Sequence, residues 1–126
     1  MKKLNVLLNI LPFFAWMLLF YLQFNTDVSD LNMVAIYMLL IFPIMFSVYN
    51  YQTSKFKKEL LIYNSIFALS HIAGYVIHGA LWYKLVSSDS ETAYITVVLS
   101  RESLIYIFVI TLIMYFIKRH KEKKAK

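Results

Sequence analysis

The chain has no cysteine, which excludes thiol nucleophiles, disulfide exchange and thiolate metal sites. Glycine and proline are scarce, two of each in 126 residues, and no Gly-rich phosphate loop can be drawn from them. Charge is scarce as well: 16% of residues carry it, against about 25% in an ordinary soluble domain. With a mean hydropathy of +0.61, this excludes a water-soluble globule and a disordered chain. No His-Glu-x-x-His or intramembrane-protease motif occurs, and serines such as those of Ser100-Arg101-Glu102-Ser103 normally bond helix backbone or a neighbouring helix. No enzyme is expected.

Hydrophobic residues make up 60% of the chain, and they come in long runs. A hydrocarbon layer of about 30 Å needs roughly 20 apolar residues as helix. Four stretches qualify, at about 4–24, 31–49, 60–85 and 93–117, followed by a basic tail at 118–126. None alternates like a membrane β-strand, and lipid offers the backbone no hydrogen-bond partner, so each should be a helix. The expected fold is all-α, a single transmembrane domain over 1–126 built as an integral-membrane four-helix bundle. The first stretch follows Met1-Lys2-Lys3, but its apolar region is longer than the 7–15 residues of a secretory leader and no Ala-x-Ala-like site precedes Asn25; it reads as a retained span.

Charge then orients the spans. Lys2, Lys3, Lys55, Lys57, Lys58, Lys118, Arg119, Lys121, Lys123, Lys124 and Lys126 fall on one side; Lys84 falls on the other with Asp27, Asp30, Asp89 and Glu91. By the positive-inside rule both termini are expected in the cytoplasm, with the protein multi-pass in the plasma membrane. The net charge of +6 is thereby explained without a nucleic-acid partner, and the tail reads as a topology anchor that attracts anionic lipid. Trp82, Tyr83 and Tyr94 read as interfacial anchors.

The informative residues are polar ones inside the spans. Asn64, His71, Tyr75, His78 and Trp82, spaced seven, four, three and four, share one helical face. Arg101 and Glu102 lie seven and eight residues inside Tyr94, about 10–12 Å below the outer boundary, at a depth similar to that of His78. A short connection makes the third and fourth helices antiparallel neighbours, so a cluster of His78 with Glu102 and Arg101 is expected. Three readings are open for His71, His78, Arg101 and Glu102: a proton or ion path, since buried acid and imidazole can exchange protons near neutral pH, a set of polar contacts that holds helices in register, or a docking site for a partner's polar span.

Other stripes match it. Asn5, Asn9, Pro12, Trp16 and Gln23 follow a similar period in the first span, as do Asn32, Ile36, Leu39, Pro43 and Asn50 in the second. Thr96, Ser100, Ser103, Ile107 and Thr111 form a small-residue stripe suited to close packing. Asn64, Gly74, Ser100 and Ser103 are the expected helix-packing residues, with Gly74 and Gly79 admitting a neighbouring backbone. The second span, poor in small residues, is the expected lipid-facing element.

Cofactor chemistry finds little support. His71 and His78, seven residues apart on one helix, stand about 10.5 Å apart along the axis and cannot be opposite ligands of one haem. Neither histidine with Glu102 completes a zinc shell. No metal and no cofactor is expected. Length and span count are similar to those of small multidrug-resistance transporters and dimeric fluoride channels. The former, however, carry their coupling carboxylate in a first helix that has no acid here, and the latter are rich in small residues. No family is assigned. The expected function is that of an accessory or regulatory subunit of a larger membrane system, partnered by the lipid bilayer and by another membrane protein or a second copy. A homo-oligomeric proton-coupled transporter or ion channel is the alternative, and an immunity or toxin-protection membrane protein a further one.

Overall fold

A computed structural model describes residues 3–26, 31–86 and 90–125, with the side chains at 31, 32, 92 and 125 outside the description. Asp27, Asp30 and Asp89 of the expected outer segments, and the Asn32 side chain, therefore lie outside the described residues. Four helices follow one another: α1 (Lys3–Asn25), α2 (Leu31–Thr53), α3 (Lys57–Leu85) and α4 (Ser90–Ala125). Among the described residues 96% are helical and none is in a strand. All four helices are long and apolar enough to cross a membrane. The sequence-based spans sit inside these helices. The largest difference is at α4, where the basic segment from Lys118 continues the helix to Ala125.

The chain runs up, down, up and down, which puts both termini at one end of the bundle. Around the bundle the order is α1, α2, α4, α3; α1 and α4 make no contact among the described residues, and α2 meets α3 across the middle. The most intimate contact is α1 on α3, two parallel helices that are not consecutive in the chain. Glycine explains how closely they lie. A Cβ on Gly74 would come within 2.9 Å of Trp16 Cδ1 and 3.0 Å of Phe13 Cα, so only a bare Cα lets α1 seat there. Gly79 does the same for α4, since its Cβ would meet Thr96 Cγ2 at 2.5 Å.

The expected inward stripes of α1 and α3 are the ones observed. Asn5, Asn9, Pro12 and Trp16 are buried on α1, as are Asn64, His71, Tyr75 and His78 on α3. The second helix, a candidate lipid-facing element, is little covered, with only α4 less so; its inner face still buries Met38, Pro43, Ser47 and Asn50, and the last two hydrogen-bond into the bundle. The least covered helix is α4. Association of apolar helices in lipid gains nothing from the hydrophobic effect and rests on close packing and interhelical hydrogen bonds. The interior supplies both.

Candidate functional site

At the end that carries the termini, carboxamides join all four helices. Asn9 and Asn50 exchange two hydrogen bonds, Nδ2 of each donating to Oδ1 of the other at 2.8 Å. Asn50 Nδ2 also donates to Asn64 Oδ1 at 2.9 Å, and Asn64 Nδ2 donates to Ser47 Oγ at 3.1 Å and Thr111 Oγ1 at 2.6 Å. Tyr49 donates to Asn5 Oδ1 at 2.8 Å, and the Ser70 hydroxyl to the Asn9 carbonyl. Amides suit this role because each offers donors and acceptors without a charge to desolvate. Nearby, α4 clamps the turn between α2 and α3. Lys118 Nζ donates to the carbonyls of Tyr51 and Ser54, each at 2.6 Å, at the C-terminus of α2. Glu122 accepts from the Lys57 backbone N–H at 2.8 Å and pairs with its ammonium at 3.2 Å, at the N-terminus of α3. Both charges complement the helix dipole they meet.

Above the amides the core is aromatic. Phe46, Phe67 and His71 stack face to face, with centroids 4.9 and 5.3 Å apart. Trp16 then separates the two histidines, its ring 5.8 Å from His71 and 5.3 Å from His78. Its indole N–H donates to His71 Nδ1 at 3.1 Å. An indole nitrogen can only donate, so the neutral His71 ring carries its proton on Nε2. That atom is buried without a partner. His78 Nε2 meets Gln23 Oε1 at 2.7 Å, a carbonyl that can only accept, so this nitrogen is also protonated. Beyond His78 an open groove of about 240 Å³ reaches all four helices, lined by Gln23, Ala35, Tyr75, His78, Trp82 and Thr96 among others.

The expected cluster of His78 with Glu102 and Arg101 does not form. His78 turns to Gln23 of α1, the helix packed most closely on α3. Arg101 and Glu102 point away from the bundle and pair with each other at 3.1 Å, their side chains 68% and 55% exposed. The physical reason lies on α4 itself. Ser100, Ser103 and Ile107 are its buried stripe, and Arg101 and Glu102 stand off that stripe by helical steps of about 100°. Of the expected packing residues, Asn64 links three helices, Gly74 receives α1, Ser100 donates to the Thr96 carbonyl at 2.7 Å, and Ser103 Oγ is buried without a partner. The sequence reading passed over Ser47, Lys118 and Glu122 as site residues. The last two follow the buried stripe of α4 past Thr111, a continuation visible in the spacing.

Among the described residues no three of His, Cys, Asp and Glu converge as metal ligands. Compared with known proteins, the chain matches no family model, no curated protein and no solved structure.

Proposed function

We propose that this chain is a small plasma-membrane protein, with both termini in the cytoplasm, that works as an accessory or regulatory subunit by docking to another chain inside the bilayer. The orientation is supported by the basic residues gathered at the end that carries the termini. One observation carries the docking: Arg101 and Glu102, the only charged side chains between Glu91 and Lys118, lie exposed on the least covered helix. A charge near the middle of a membrane helix is unfavourable by about 2.5–3.5 kcal/mol, less towards the interface. A partner that supplies hydrogen bonds offsets that cost. The other polar stripes are largely used within one chain by the amide network and the histidine contacts, with Asn5 Nδ2, His71 Nε2 and Ser103 Oγ left over in the interior rather than on an outer face.

Gentle extraction from native membranes followed by native mass spectrometry tests this reading. A bound membrane protein lost on Arg101→Ala or Glu102→Ala supports it. A bare chain, or a complex indifferent to both substitutions, overturns it.

A proton-coupled transporter or channel is the second reading, and the open groove beside His78, which brings that ring and Gln23 to the surface of the bundle, favours it. The path would run through Gln23, His78 and His71, without Glu102 or Arg101. Flux in proteoliposomes that is lost in His78→Leu would favour it; purified protein that moves nothing would count against it.

A further inference from the structure

We infer that the outward face of α4 binds a second copy of this chain, in parallel, about a two-fold axis normal to the membrane. The inference rests on the reading that α4 docks inside the bilayer, and it names the occupant. Opposite the buried stripe of α4 runs a second one: Val98, Glu102, Ile105, Val109, Leu112 and Phe116, spaced four, three, four, three and four. That is the seam spacing of two helices packed along their length. Ile105 and Phe116 are about half exposed, and Arg101 flanks Glu102 on this face.

The pair is poorly satisfied within one chain. A guanidinium carries five N–H donors in a fork built for a carboxylate. Arg101 gives one of them, from Nη2, to Glu102 Oε1. Neighbouring residues on a helix diverge by about 100°, so the fork cannot close on the residue next to it. A two-fold axis brings Arg101 of each chain to Glu102 of the other at the same depth, and both pairs close together. The face is its own complement. A lipid phosphate would serve Arg101 alone and would repel Glu102, whereas a second copy serves both. The stripe continues into Arg119 and Lys123, which would meet their own copies as Glu102 does but without a free opposite charge beside them, since Glu122 is held by Lys57; the contact therefore ends at Phe116, about 27 Å from Val98 along the axis.

The symmetry gives a test that an intrachain pair cannot mimic. Full-length chains labelled with donor or acceptor are reconstituted in phosphatidylcholine vesicles, and energy transfer is followed as the lipid-to-protein ratio rises. The wild type should associate. Arg101→Glu alone and Glu102→Arg alone should each weaken association about tenfold or more, since each turns both contacts into like-charge pairs. Mixing the Arg101→Glu chain with the Glu102→Arg chain should restore transfer between them, because both cross-contacts become opposite in sign. Circular dichroism checks that each variant keeps its helices, and the neutral pair Arg101→Gln and Glu102→Gln replaces any variant that does not. A monomeric wild type, single variants that associate like the wild type, or a mixture that fails to restore transfer overturns the dimer. If extraction still yields a different membrane protein bound through Arg101 and Glu102, the docking reading survives that loss. If neither assay responds to these residues, both fall.

Discussion

Trp16 and His71, on parallel helices 55 positions apart in the chain, are joined by one hydrogen bond that sets the imidazole tautomer and leaves its other nitrogen buried and unpaired. Removing one partner strands the other. Trp16→Phe should destabilise the bundle by about 1–3 kcal/mol, a typical cost for a buried polar atom without a partner. Replacing both, Trp16→Phe with His71→Phe, also removes the orphan Nε2 and lets a phenyl ring join the Phe46–Phe67 stack. The double variant should therefore be no less stable than Trp16→Phe alone. Unfolding by sodium dodecyl sulfate in mixed micelles measures the cycle, and strict additivity of the two losses would show that the bond contributes nothing.

Asn50 is the hub of the amide network. Asn50→Leu leaves Asn9 Oδ1 and Asn64 Oδ1 without donors, whereas Asn5, at the edge, keeps an unpaired Nδ2 even in the intact bundle. Asn50→Leu should cost about 2 kcal/mol and Asn5→Leu clearly less, within the range of measured polar contacts in membrane bundles. Equal losses at the two positions would refute the hub.

Much of this interior was legible in the sequence, because a stripe of polar residues at helical spacing in an apolar span can face only the bundle. Asn5, Asn9, Trp16, Asn64, His71 and His78 all obey that rule. Which stripe meets which was not legible. Connection length argues for consecutive neighbours, and α3 does meet α4, but the tightest contact pairs α1 with α3 in parallel, set by Gly74 beneath Trp16. His78 thus finds Gln23, a residue from a helix that loop length does not bring near. The position of Arg101 and Glu102 could have been read: if Ser100, Ser103 and Ile107 face inward, the two residues between the serines cannot.

The basic segment after Lys118 has a structural duty beside any lipid contact. Lys118→Ala removes both donors to the Tyr51 and Ser54 carbonyls, and Glu122→Ala removes the acceptor at the start of α3. Each should cost about 0.5–2 kcal/mol, the range of a lost helix cap. Amide hydrogen exchange should speed up over residues 51–60 in both variants and stay unchanged around His78. By contrast, Lys123→Ala and Lys124→Ala, both exposed, should leave exchange in 51–60 as it is. Identical profiles for all four variants would reduce the segment to a surface anchor.

Gly74 and Gly79 should respond differently to the same substitution. At Gly79 an added methyl meets Thr96 side-chain atoms, at 2.5 Å for Cγ2 and 3.1 Å for Cβ. Gly79→Ala should push α4 outward, and Thr96→Ala in the same chain should recover part of the loss by removing Cγ2 and Oγ1. At Gly74 the obstruction includes Phe13 Cα, a backbone atom 3.0 Å away, which no side-chain truncation can move. Gly74→Ala should therefore cost about 1–3 kcal/mol, as overpacking commonly does. Trimming Trp16 should add to that loss, because it also takes away the His71 hydrogen bond. Thermal unfolding of the four single and double variants reads both outcomes. Recovery at Gly74 on trimming Trp16, or none at Gly79 on trimming Thr96, would show that the helices are not seated by the contacts described.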